Sequence, residues 1–376
     1  MTKAADEAEG CSMASNNGSS ICRLLQDTMR QHDIPGIAVA IFDSDRIVQQ
    51  HALGKRRLGA PSDVTLNDKF HIGSNTKAMT ATTIAFLVER GSFSWDARAI
   101  DVLPELSNDI HELHKTITLK QLLTHTAGIQ PFTDGREFND VPELSGTPAQ
   151  QRYQLTRHLL TKEPFSSPGR ASEYSNAGYC IAAAMAERIA GESWEELMRT
   201  LLFERLSLDA GFGWPALADE DQPWGHVYEG EMDKPYSEWK TSGTLVAHPP
   251  TDAYRVRCAI APAGDVHLSI IDFARFVQMH LKGCRGMDTL LKPDTVGFMH
   301  EDIRGYALGW CVTKKGDAKV SSHNGSAGTF HSVAVLFPLR NFGIVVACNA
   351  GHLNAGRGFD ELAQTLFNRF KDALPR

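Results

Sequence analysis

A serine and a lysine stand three residues apart in FHIGSNTKAMT, as Ser74 and Lys77. At the start of a helix that spacing puts both side chains on one face, within reach of each other. A serine hydroxyl is a poor nucleophile until a base takes its proton. A buried lysine becomes such a base when desolvation lowers its pKa. The N–H groups of a helix N-terminus favour the negative charge that develops on an attacked carbonyl oxygen. The pair therefore points to acyl transfer. S-x-x-K carries little information by itself, since Ser237-Glu238-Trp239-Lys240 also fits it. That second copy lies in a Pro/Tyr/Trp-rich loop and opens no apolar helix.

Two further segments add chemistry. Tyr174-Ser175-Asn176, in SEYSNAGY, is the only Y-x-N of the chain. A tyrosine beside a lysine ammonium gives up its proton more readily and can pass it to a leaving group. Asn176 can donate and accept hydrogen bonds to an acyl side-chain amide. The same triplet also reads as a loop tyrosine and a helix cap. His323-Asn324-Gly325, in SSHNGSAGTFHS, precedes a late strand and offers a hydrogen-bonding side chain and a glycine that lets substrate backbone approach. A backbone N–H from that strand would complete an oxyanion hole with that of Ser74. Lys314-Lys315-Gly316 is a rival, but KKGDAK reads as a hairpin turn. His71-Ile72-Gly73 fits H-x-G as well, so the third triplet gains its weight from its position after the other two.

Other signatures are missing. There is no G-x-S-x-G, no G-x-G-x-x-G and no G-x-x-x-x-G-K-[ST], which removes the α/β-hydrolase elbow and the common nucleotide loops. His111-Glu112-Leu113-His114 has the wrong spacing for a zinc helix and reads as an exposed polar turn.

Those residues need elements to position them. Residues 1–20 read as a polar, disordered lead-in. A helix is expected over about Ser20 to His32, then strands GIAVAIF (36–42) and RIVQQHALG (46–54), then a helix from Ser74 to Arg90 stopped by Gly91. Residues 95–230 read as helical fragments between long loops, with Ala177 to Ala190 the clearest helix. Strands return as YALGWCV (306–312), FHSVAVLFP (330–338) and GIVVACNA (343–350), and a helix from Phe359 to Leu374 closes the chain. Early and late strands can share one antiparallel sheet, with the helical middle as an insertion and a site in the cleft between.

Composition sets the outer limits. The 376 residues are 42% hydrophobic and 22% charged, with 38 Lys and Arg against 45 Asp and Glu, a net charge of −7. A mildly acidic chain of this kind offers no basic face for nucleic acid. Its apolar runs fall far short of the roughly 18 residues that span a bilayer. The opening MTKAADEAEGCSMASNNGSS has no apolar stretch and reads as no secretory signal. Seven widely spaced cysteines without C-x-x-C suit reduced thiols rather than a disulfide framework or a zinc site. Together these favour the cytoplasm, with neither nucleic acid nor membrane as partner.

The three triplets occur in the order and rough spacing of the serine β-lactamase and penicillin-binding-protein-like family. The chain resembles its branch of class C β-lactamases, D-Ala-D-Ala carboxypeptidases, D-aminopeptidases and esterases. LLTHTAGI (122–129), PAGDVHLSIIDFARF (262–276) and YALGWCV resemble that branch too, and the likeness covers about residues 21–370. It implies a β-lactamase/transpeptidase-like fold, α/β plus all-α. An α/β sandwich of 21–72 and 231–376 would stand beside a mainly helical domain of 73–230. It implies that Ser74 is acylated and that Lys77 and Tyr174 handle protons. Asn176, His323, Asn324 and Gly325 would bind substrate, and the Ser74 and Ser326 N–H groups would hold the oxyanion. No cofactor or metal is implied.

Two residues depart from the family pattern. His323 stands where most such β-lactamases carry a lysine that attracts a substrate carboxylate, and a largely neutral imidazole is a weaker anchor. His at this place resembles the esterase, D-aminopeptidase and mitochondrial β-lactamase-like members. Asp265 stands where PAGG is usual and reads as a solvated turn; at the cleft it would repel an anion. The expectation is a serine hydrolase that forms an acyl-enzyme on Ser74 from a small ester, amide or peptide. β-Lactam hydrolysis, acyl transfer to a small acceptor and a catalytically idle binding scaffold are the alternatives. Oligomeric state is left open.

Overall fold

The structure, a computed structural model, describes residues 16–232, 234–251, 256–315 and 318–370. Its frame is a six-stranded antiparallel sheet in the order β2-β1-β11-β10-β9-β8. The strands are β1 (Gly36–Phe42), β2 (Ile47–Gly54), β8 (Cys311–Lys315), β9 (Ala318–Ser326), β10 (His331–Phe337) and β11 (Phe342–Cys348). β1 is buried along its whole length, which suits an unbroken apolar run in a sheet covered on both sides. Alternation sorts its side chains. Ala38, Ala40 and Phe42 join the large core with the middle helices, while Ile37, Val39 and Ile41 face the two terminal helices. Those are α1 (Asn16–Gln31) and the closing helix Leu353–Phe370.

A second, three-stranded sheet leads into the nucleophile. β3 (Lys69–His71) pairs with β7 (Val266–Ser269), which pairs with β4 (Ala210–Phe212). β5 (His226–Tyr228) and β6 (Leu245–Ala247) form a separate hairpin-like pair. A 3-10 turn, Gly73–Asn75, links β3 to α2 (Thr76–Glu89). Twelve of the 14 residues of α2 are buried. Its apolar and threonine-rich surface reads the same all round, as a helix sunk into a core must. The helix Asn176–Ala190 packs against it.

Several boundaries differ from expectation. α1 starts at Asn16, so residues 16–20 belong to a helix rather than the lead-in; residues 1–15 lie outside the described residues. The closing helix starts at Leu353, and residues 371–374 lie outside the described residues. YALGWCV is not a strand throughout, because Tyr306 to Trp310 turn before β8 begins at Cys311. The triplet His323-Asn324-Gly325 does not precede a strand but lies within β9. Polar SSHNGS carries no period-2 apolar signal, and burial on both flanks makes it a strand anyway. Gly316, in the rival triplet, lies outside the described residues. Among the described residues no helix is long and apolar enough to cross a membrane.

Candidate active site

Lys77 is the hub. It is fully buried. Its Nζ lies 3.1 Å from Ser74 Oγ, 2.7 Å from Asn176 Oδ1 and 2.7 Å from the Ala263 carbonyl oxygen. Asn176 donates its Nδ2 to the Phe132 carbonyl at 2.7 Å, so its Oδ1 is the atom turned to the lysine. No carboxylate pairs with Lys77 among the described residues, and burial lowers its pKa well below the usual value. A neutral amine fits this setting: two hydrogens go to Asn176 and Ala263, and the lone pair is left for the Ser74 hydroxyl. Ser74 itself is half-buried, two residues ahead of α2.

Tyr174 closes the other side. Its hydroxyl is hydrogen-bonded to Ser74, and burial nonetheless raises its pKa above that of an ordinary phenol. Its side chain as a whole is 37% exposed, so part of the ring faces the opening while protein surrounds the hydroxyl. Lys77 Nζ sits 4.7 Å from the centre of its ring. Burial pushes both groups toward their neutral forms, against the easing of deprotonation that an ammonium would bring. Tyr174 as a phenol can give and take one hydrogen bond. Ser175 donates its Oγ hydrogen to the Gln130 carbonyl at 2.6 Å and accepts from Gly178 N at 3.0 Å, and so caps the Asn176–Ala190 helix. This holds Tyr174 and Asn176 on either side of a helix start.

The third triplet behaves differently from expectation. Pairing between β8 and β9 ends at Ser322, which leaves the edge of β9 from His323 onward to the Gly73–Asn75 turn packed against it. His323 is 3% exposed. Its Nδ1 is 2.7 Å from the Asn324 carbonyl and its Nε2 is 2.9 Å from the Tyr306 hydroxyl. The first must donate and the second accept. Burial, with nearby Lys77 as a smaller cause, pushes its pKa down to about 3. A neutral ring with both nitrogens occupied by protein is not a cationic anchor. Asn324 is one position out of phase; it points to the other face of the sheet, where its Nδ2 is 3.4 Å from Asp360 Oδ1 of the closing helix. Gly325 is small for a protein contact, since a Cβ there would lie 1.9 Å from the Ile72 carbonyl oxygen. Gly73, at φ +50°, makes the reciprocal approach: its Cβ would lie 2.5 Å from Ser326 N.

Asp265 is corrected as well. It is fully buried, not a solvated turn, and its Oδ1 is 3.3 Å from His71 Nε2. HELH is no exposed turn either: His111 caps the 3-10 helix Glu112–Thr116, and His114 is buried. The second S-x-x-K lies in a loop whose Lys240 backbone N–H binds Glu231. Cys180, Cys284, Cys311 and Cys348 are free thiols. Among the described residues no group of three or more His, Cys, Asp or Glu is arranged to hold a metal ion.

Several contributors to the site escaped the sequence reading. His125 stacks its ring 4.4 Å from those of Tyr174 and Tyr306, and its Nδ1 accepts from Ser175 N at 3.1 Å. Tyr306, His125 and Ala263 all lie in the segments YALGWCV, LLTHTAGI and PAGDVHL.

Comparisons with known proteins show the family. Residues 21–368 match the sequence model of the Beta-lactamase family, and the chain belongs to that family. Penicillin-binding protein 4 of Amycolatopsis lactamdurans is 27% identical over 338 residues, covering 85% of this chain and 82% of that protein. Protein flp of Staphylococcus aureus (strain COL) is 24% identical over 341 residues, and the match covers 86% of this chain and 62% of flp. Among solved structures, the octameric penicillin-binding protein homologue from Pyrococcus abyssi superposes with a TM-score of 0.74 at 23% identity, covering 93% of this chain and 77% of that one. SurE superposes with a TM-score of 0.72 at 21% identity, covering 94% and 75%. These two establish the β-lactamase/transpeptidase-like fold.

Proposed function

We propose that the protein is a serine hydrolase that acylates Ser74 with a small ester, amide or peptide whose acyl group needs no carboxylate anchor. One observation carries the reading: a fully buried lysine, its pKa lowered by burial, with its Nζ 3.1 Å from the serine hydroxyl. In the first step Lys77 takes the Ser74 proton as Oγ attacks the carbonyl carbon. The backbone N–H groups of Ser74 and Ser326 hold the oxyanion, and the close approach of Gly73 to Ser326 supports their pairing. Tyr174 relays the proton from Lys77 to the leaving group. Water, activated along the same route, then releases the acid. Asn176 keeps one N–H hydrogen for the substrate after binding Phe132.

The occupied, neutral His323 argues against an anionic β-lactam as the preferred substrate. The structure of SurE with D-Leu makes D-leucine esters and amides worth including beside simple esters. Ser74→Ala should lower hydrolysis of p-nitrophenyl butyrate by at least about 10³-fold. Turnover near the wild-type level would sink the acyl-enzyme. Wild type that is inert to esters, amides and β-lactams alike, and unlabelled at Ser74 by a fluorophosphonate, would leave the idle scaffold. A rise in product formation on adding an amine acceptor would favour acyl transfer.

A further inference from the structure

His71 and Asp265 lie behind the nucleophile and touch none of the reacting atoms. Both side chains are 1% exposed. His71 Nε2 is 3.3 Å from Asp265 Oδ1, and its Nδ1 is 3.1 Å from the backbone nitrogen of Gly73. The Gly73 N–H can only donate, so Nδ1 must offer its lone pair and the ring hydrogen sits on Nε2, facing the carboxylate. One tautomer and one orientation satisfy both contacts. Other contacts also fix the turn: Ile72 N to the Val266 carbonyl at 2.9 Å, Ser332 Oγ to the Ile72 carbonyl at 2.8 Å, Asn75 Nδ2 to Ser332 Oγ at 2.7 Å, and Val266 N to Thr76 Oγ1 at 3.1 Å. The N–H of Gly73, directly preceding Ser74, is held by the His71 side chain.

We propose that Asp265 and His71 form a positioning relay that sets the Gly73 peptide, and through it the spacing between the Ser74 nucleophile and the Ser326 backbone. Gly73 has little freedom, because its left-handed φ of +50° and its contact with Ser326 leave one pose for the turn. Asp265 locks the imidazole as an acceptor, as carboxylates lock catalytic histidines, but here the histidine addresses a backbone N–H. The proposal rests on the Ser74 acyl-enzyme reading. A shift of the turn by a fraction of an ångström would misalign attack and oxyanion donors together, leaving ground-state binding largely intact.

The ring also packs 5.0 Å from Trp214, so packing and relay must be separated. His71→Asn removes the ring but keeps an acceptor, because an Asn side chain readily binds the N–H two residues on. His71→Phe keeps the ring and removes the acceptor. With p-nitrophenyl butyrate, His71→Phe should lower kcat about 10²-fold with KM within about threefold, and weaken phenylboronic acid inhibition to a similar degree. His71→Asn should retain a kcat within about tenfold of wild type. Phe performing as well as or better than Asn would overturn the relay in favour of packing. Should His71→Phe not fold, Asp265→Asn carries the test: about a tenfold loss in kcat at unchanged KM is expected, and a kcat equal to wild type overturns the proposal. An active Ser74→Ala enzyme would instead refute the underlying reading.

Discussion

His71-Ile72-Gly73 and His323-Asn324-Gly325 share one pattern and pack against each other beside the same serine. Each glycine is pressed against the other segment, Gly73 on Ser326 and Gly325 on Ile72. Each histidine is buried and spends both nitrogens on protein. They differ in polarity. His71 accepts from a backbone N–H and donates to a carboxylate; His323 donates to a backbone carbonyl and accepts from Tyr306. The first has a buried carboxyl group beside it and the second a phenol. An H-x-G triplet is therefore no mark of substrate contact in itself. Both copies are spent on protein contacts beside the Ser74–Lys77 pair.

The largest expected effect comes from breaking that pair. Lys77→Ala should lower kcat/KM for an ester by about 10³-fold or more, close to Ser74→Ala, because the two act as a unit. The wild-type rate should plateau well below pH 10.5 and fall as acid returns the proton to Lys77, whose pKa burial has lowered. A rate still climbing at pH 10 would mean an ordinary exposed lysine.

Next comes the interlock. Gly325→Ala puts a methyl 1.9 Å from the Ile72 carbonyl, which must push β9 and the serine turn apart. We expect about a 10²-fold loss of kcat, read in ester assays beside a melting curve. An active, stable alanine variant would show that the two triplets are not locked together.

The smallest effect concerns acid stability. Burial lowers His323 to about 3 and His331 and His267 to about 4. Between pH 6.5 and 4 the unfolded chain binds these protons and the folded chain does not, so stability must fall as pH falls. Each such histidine contributes up to about 1.4 kcal/mol per pH unit. His323→Gln should flatten urea-midpoint curves over that range by one histidine's share. An unchanged slope would mean His323 titrates normally.

Spacing made part of the site legible. Ser74 and Lys77 meet because i, i+3 on a helix is a local geometry, and Tyr174 and Asn176 announce a capped helix start. Alternating and unbroken apolar runs gave β1, β10 and β11, whose burial follows from residue type alone. Tertiary structure decided the rest. Whether Asn324 faces the cleft or the closing helix depends on the register of β9 against β10, and a one-residue step in a strand changes the face. Asp265 looks solvated in PAGD and is buried only because β7 brings it to His71, 194 positions away. Lys77 loses its water only when Ala263 and Asn176, far apart in the chain, close over it. Composition and period fix which residues can be inside, but a long-range partner fixes what a buried polar group becomes.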